Sequence, residues 1–103
     1  MNITLKWEEH NLAESVDIAL TTSWCEFLEV TVYWCGEEHL YQCHIKDRGE
    51  LVNVLTCDTL EECKEECHKE IQTIVDTYWG MAHLMAQELG YKIVKKGESN
   101  GEK

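Results

Sequence analysis

Apolar residues recur at every second position through much of the first half of the chain, and at every third or fourth position through the second half. The first spacing is typical of β-strands with one covered face, and the second is typical of an amphipathic helix. The clearest strand pattern is FLEVTVYW, in which Leu28, Val30, Val32 and Trp34 share one face. Its β-branched and aromatic content favours the same assignment.

Similar alternation predicts strands on both sides of this segment. One lies around Ile3, Leu5 and Trp7, and the others are SVDIALTT, LYQCHI and LVNVLT. Short polar turns join FLEVTVYW, LYQCHI and LVNVLT, which are the last three strands in chain order. Gly36, in the first of these turns, is free to adopt positive φ. We therefore expect an antiparallel meander of four or five strands.

A long helix is predicted to begin after Thr59. Thr59 and Glu62 have the spacing of a capping box, and Asp58 adds negative charge at the helix start. Gly90 stands where a C-terminal cap is expected. Apolar residues between these two points recur at helical spacing: Leu60, Cys63, Cys67, Ile71, Ile74, Tyr78, Ala82, Met85 and Leu89. The fold class expected is α+β, an antiparallel sheet packed by a long C-terminal helix.

The helix is longer than the sheet it would cover. At about 1.5 Å per residue it would extend roughly 45 Å, whereas a strand of six residues covers about 20 Å. Either the helix bends near Gly80 or its far end extends beyond the sheet. An exposed far end would carry an apolar patch, so we predict a homodimer through the C-terminal half of the helix. We expect residues 1–90 to form a single α+β domain and residues 91–103 to form a basic, partly flexible tail.

The chain is strongly acidic. Twenty acidic residues against nine basic ones give a net charge of −11, which disfavours direct nucleic-acid binding and favours a basic partner surface. The sequence shows no secretory signal and no apolar stretch of membrane-spanning length. These features predict no membrane partner and a cytoplasmic location, where the six cysteines would be reduced.

The cysteines allow two interpretations. Cys63 and Cys67 fall on the apolar stripe of the helix, so the favoured interpretation is packing as small hydrophobic residues, with no metal and no cofactor. In the alternative, Cys43 and Cys57 approach the same helix face from the sheet and complete four zinc ligands in a small zinc-stabilised module. The C-x3-C spacing within a helix differs from the C-x2-C knuckles of most zinc sites.

No catalytic motif is present. The sequence has no phosphate-binding glycine loop, nucleophile elbow or HExxH motif, so we predict a protein without catalytic residues. The candidate partner-binding residues are acidic, and they come from the helix opposite its apolar stripe and from one turn: Glu61, Glu62, Glu65, Glu66, Glu37 and Glu38. The ordinary interpretation of the four helical glutamates is a solvated helix face, stabilised by negative charge near the helix start.

Strands rich in Trp and Tyr, a glycine-containing turn and then DTLEECKEECHKEI resemble small acidic phage and prophage proteins of unknown role, over residues 27–75. In those proteins a sheet leads into a helix that opens with a [DS]-[ST]-L-E-E-A-K motif, and alanines stand at the positions of Cys63 and Cys67. The resemblance implies an accessory factor or an inhibitor of host defence, such as an anti-CRISPR protein. Such an inhibitor would block a basic, nucleic-acid-binding surface of a host protein, with a CRISPR effector as one example. The long C-terminal helix and the basic tail depart from this pattern. A self-associating accessory domain remains the alternative.

Overall fold

The computed structural model of the chain describes residues 2–10 and 17–94. It contains five strands, β1 (Glu8–Glu9), β2 (Ile18–Trp24), β3 (Leu28–Cys35), β4 (Leu40–Asp47) and β5 (Glu50–Cys57), followed by one helix, α1 (Leu60–Leu89). The strands form one sheet in the order β1-β2-β3-β4-β5, and every neighbouring pair is antiparallel. The predicted α+β class and the predicted meander are confirmed.

The chain divides into two compact units, one of residues 2–72 and one beginning at Thr73. The first unit contains the whole sheet and the start of α1. The second contains the rest of α1 and residues 90–94. A single domain over residues 1–90 stays a prediction, and most of the predicted tail lies outside the described residues.

The predicted strand over residues 2–7 is wrong. The first strand is instead Glu8–Glu9, which follows the predicted segment directly. Ile3 is buried, and its N–H donates to Gln72 Oε1 at 3.1 Å. Thr22 Oγ1 donates to the Lys6 carbonyl at 2.6 Å. The alternation of residues 2–7 therefore reflects burial on one side of an extended segment, without the backbone ladder of a sheet.

The register of β2 to β5 places the apolar positions on one face of the sheet. Val32 lies opposite both Leu20 and Cys43, and Val30 lies opposite Ile45. All five of these side chains are at most 1% exposed. Cross-strand partners point to the same side of a sheet, so they form a continuous apolar layer.

The turn between β3 and β4 differs from the prediction in one detail. Its residue with positive φ is His39, at 56°, and not Gly36. The glycine still has a steric role, because a Cβ atom at position 36 would lie 3.3 Å from Trp34 Nε1.

The start of α1 carries the predicted capping box. The Glu62 N–H donates to Thr59 Oγ1 at 3.1 Å, and the Glu62 carboxylate accepts a hydrogen bond from the Asp58 N–H at 2.8 Å. The carboxylate thus reaches one residue further back than in the usual box. These bonds satisfy two N–H groups at the helix start.

The end of α1 is a glycine cap. Gly90 has φ of 83°, and the Tyr91 N–H donates to the Ala86 carbonyl at 2.8 Å. The Gly90 N–H donates to the Gln87 carbonyl at 3.2 Å. This pair of bonds is a Schellman motif, which ends the helix where the sequence predicted.

α1 is continuous from Leu60 to Leu89, without a break at Gly80. Its buried residues recur every four positions: Cys63, Cys67, Ile71 and Val75. Beyond Gly80 no helical residue is buried. The large apolar side chains of that part are 50–70% exposed, namely Met81, Leu84, Met85 and Leu89.

Candidate functional site

Four of the six cysteines meet on the covered face of the sheet. Cys43 lies on β4, Cys57 ends β5, and Cys63 and Cys67 lie one turn apart on α1. All four are buried, with at most 6% exposure. The Sγ atoms of Cys43, Cys57 and Cys63 lie within 4.8 Å of one another, and the Cys67 side chain is hydrogen-bonded to Cys43. We call these four residues the thiol cluster.

Burial and mutual contact raise the pKa values of three thiols of the cluster. The hydrogen bond with Cys67, followed by burial, raises the pKa of the Cys43 thiol far above its ordinary value of 9.0. Burial and the hydrogen bond with Cys43 likewise raise the pKa of Cys63. Burial and the neighbouring Cys43 raise the pKa of Cys57 to about 11. Because the thiolate is the nucleophilic form of cysteine, these three thiols are poor nucleophiles.

The predicted burial of Cys63 and Cys67 is confirmed. The structure also brings Cys43 and Cys57 to the same face of the helix, which is the juxtaposition that the zinc alternative requires. Helical spacing alone predicts that Cys63 and Cys67 share the buried face of the helix. The approach of Cys43 and Cys57 to that face depends on strand register and on the packing of the helix, which no local sequence pattern contains.

The other two cysteines lie outside the cluster. Cys25 is exposed in the turn between β2 and β3, where its φ is 56°. Cys35 ends β3 and is half-buried. They provide matched controls for experiments on the cluster.

Two acidic segments lie at one end of the sheet. Trp34 pairs with Tyr41, and Tyr41 pairs with Cys57, so the turn between β3 and β4 lies at the same end as the start of α1. The side chains that extend from this end are exposed. We call them the acidic end: Glu37, Glu38, Asp58, Glu61 and Glu62. Asp58 was not among the predicted partner-binding residues, although its place just before the helix cap could have indicated it.

The other two predicted partner-binding residues have different surroundings. Glu66 is half-buried, and its Oε2 accepts a hydrogen bond from Lys69 Nζ at 3.2 Å. Glu65 lines a groove of about 480 Å³ together with Lys64, His68 and Lys69. Both glutamates therefore lie beside cations, in a surface of mixed charge. By contrast, within the described parts of the chain no ion pair involves the acidic end.

Comparison of the chain with protein-family models, curated proteins and solved structures found no match. In residues 2–10 and 17–94, no helix has both the length and the apolar character needed to cross a bilayer.

Proposed function

We propose that the chain is a non-catalytic binding protein that docks its acidic end on a basic surface of a host protein. One observation carries this proposal. Carboxylates from two separate parts of the chain, Glu37 and Glu38 in a turn and Asp58, Glu61 and Glu62 at a helix start, are exposed together at one end of the sheet. None of them is in an ion pair among the described residues.

The charge of the surrounding unit supports the same proposal. Its described residues, 2–10 and 17–72, contain 15 acids and five bases, a net charge of −10. A field of this sign accelerates association with surfaces rich in Lys and Arg. Grooves that bind nucleic acid are rich in Lys and Arg. The proposed partner is therefore a nucleic-acid-binding host protein. The phage origin and the anti-CRISPR role rest on the resemblance of residues 27–75 alone.

Charge reversal tests the docking surface. In the acidic-end variant, Glu37, Glu38 and Glu61 become Lys, while the capping residues Asp58 and Glu62 stay intact. In the control variant, the exposed residues Glu26, Glu29 and Glu50 become Lys, which changes the net charge by the same amount. Glu26 and Glu50 lie in or beside the turns at the opposite end of the sheet.

The three proteins serve as parallel baits in a bacterial lysate, and any retained protein is purified and titrated at several salt concentrations. We expect the native chain and the control variant to bind it similarly. The acidic-end variant should bind at least about tenfold more weakly, and its affinity should depend less on salt. Equal weakening by both variants would show a non-specific charge effect and would refute the proposal. Failure of the native chain to compete with nucleic acid for the purified partner would refute the blocking role.

A second candidate function is self-association through residues 73–94. The exposed apolar side chains of α1 beyond Gly80 favour it, because contiguous apolar surface of this kind marks interaction sites. A second copy of the chain is the occupant we propose. Residues 73–94 carry two acids and one base, a net charge of −1, so two copies would repel each other least here.

Sedimentation velocity over a wide concentration range tests self-association. We expect the native chain to be dimeric at high concentration and Leu84→Glu to be monomeric. Gln87→Glu adds the same charge to the same helix without removing an apolar side chain, so it should remain dimeric. A native chain that stays monomeric throughout would exclude this candidate and would leave the docking proposal intact.

A further inference from the structure

We propose that the thiol cluster binds one thiophilic closed-shell cation of the zinc class, with Cys43, Cys57, Cys63 and Cys67 as its ligands. The ligands lie outside the acidic docking surface, and none of the experiments on that surface tests this site.

The distances among the sulfur atoms are close to those of a metal centre. With Zn–S bonds of about 2.3 Å in a tetrahedron, neighbouring sulfur atoms lie roughly 3.8 Å apart. The Sγ atoms of Cys43, Cys57 and Cys63 already lie within 4.8 Å of one another. Shifts of about 1 Å or less in side-chain position would therefore bring three ligands to bonding distance, without any movement of the strands.

Cys67 would supply the fourth ligand, although its Sγ atom is not among the three that lie within 4.8 Å of one another. It follows Cys63 by four residues, so both side chains lie on the same face of α1, and it is in hydrogen-bond contact with Cys43. Three elements of the fold thus contribute sulfur to one point: β4, the end of β5, and the first turns of α1. A tetrahedral shell of four protein ligands is the usual arrangement of a structural zinc site.

The supporting structure holds these elements in place. β4 pairs with a strand on each side along its length. The start of α1 is fixed by its capping box, and Asn53 Nδ2 of β5 donates to Glu70 Oε2 of α1 at 2.7 Å. A site whose ligands are positioned before the ion arrives loses less conformational entropy on binding.

The chemistry of the donors selects the kind of ion. Among the described residues, Cys43, Cys57 and Cys63 form the one group of three or more ligand side chains with metal-binding spacing, and this group contains sulfur alone. Thiolates select zinc and other thiophilic ions over Mg²⁺ and Ca²⁺, which prefer oxygen. The neighbouring carboxylates of Asp58 and Glu62 raise the local concentration of cations. Each thiol that binds gives its proton to solvent, and no electron is transferred.

A buried cysteine can pack singly as a small hydrophobic side chain. Here the Sγ atoms of Cys43, Cys57 and Cys63 lie within 4.8 Å of one another, which is the arrangement that a metal requires.

The test uses the full chain, reduced and treated with chelator, and titrated with Zn²⁺ and with Co²⁺ as a spectroscopic probe. We expect one equivalent of Zn²⁺ to survive dialysis and Co²⁺ to give the sulfur-to-metal charge-transfer absorption of a tetrahedral thiolate site. At free zinc about 100 times its Kd, the thermal midpoint should rise by about 10 °C or more. Absence of the charge-transfer band at stoichiometric Co²⁺, or zinc loss on dialysis, would overturn the proposal.

Cysteine variants locate the site. Cys63→Ala and Cys57→Ala should lose the charge-transfer band and the zinc-dependent rise in midpoint, whereas Cys25→Ala and Cys35→Ala should retain both. Far-UV circular dichroism checks that each variant folds, and Cys63→Ser provides a second variant of nearly unchanged volume. A band that survives in Cys63→Ala and disappears in Cys25→Ala or Cys35→Ala would refute the assignment.

Discussion

The packing of α1 against the sheet can be tested at Ile71. This side chain is 1% exposed and is the largest apolar side chain on the buried stripe of the helix. Replacing it with alanine keeps a good helix former but removes about three methylene-sized groups. At about 0.8 kcal/mol for each group, the lost transfer free energy is roughly 2.4 kcal/mol. The cavity left behind increases the loss to about 3–4 kcal/mol, within the range of such substitutions.

The matched control is Leu84→Ala, which removes a similar number of carbon atoms from the same helix. Leu84 is 64% exposed, so its replacement should change the free energy of unfolding by less than about 0.5 kcal/mol. Urea denaturation followed by tryptophan fluorescence measures both, at a concentration where sedimentation shows a monomer. For a chain of this size, Ile71→Ala should lower the thermal midpoint by roughly 12 °C or more. Equal losses in the two variants, or a loss below about 1 kcal/mol for Ile71→Ala, would refute the inferred packing.

Three further predictions concern the helix ends and the thiols. Thr59→Ala removes the acceptor of the Glu62 N–H and should lower the free energy of unfolding by about 1 kcal/mol in urea denaturation. Gly90→Ala places a Cβ atom at a φ of 83°, which costs about 1–2 kcal/mol and should reduce hydrogen-exchange protection of the Tyr91 amide. In metal-free protein the pKa of Cys57 is about 11, against an ordinary value of 9.0, so the folded state retains a proton that the unfolded state releases. The contribution of this proton to the free energy of unfolding is complete below pH 9.0 and should decline between pH 9.0 and about 11, by up to about 1.4 kcal/mol per pH unit. The free energy of unfolding of Cys57→Ala should decline less over the same pH range.

The sequence predicted those features of the fold that depend on local patterns. Alternation in FLEVTVYW located β3 and its covered face, and the spacing of Thr59 and Glu62 located the start of α1. The same method failed over residues 2–7, because alternation reports one-sided burial and cannot distinguish a paired strand from an extended segment tied to the fold by Gln72 and Thr22.

The candidate site was predictable only in part. Helical periodicity placed Cys63 and Cys67 on the buried stripe, but their contact with Cys43 and Cys57 depends on the β4–β5 register and on the position of the helix over the sheet. The two halves of the acidic end likewise meet because of strand register, which brings residues 37–38 and 58–62 to one end. Such juxtapositions are non-local, so no window of sequence contains them.

The order of the strands in space is their order along the chain, so each hairpin can form as soon as its second strand has left the ribosome. Most contacts therefore join neighbours in sequence, a topology that folds rapidly. The apolar layer of β2 to β5 nevertheless remains uncovered until the first turns of α1 emerge. During synthesis this interval is when the nascent sheet is most exposed to chaperones and to aggregation.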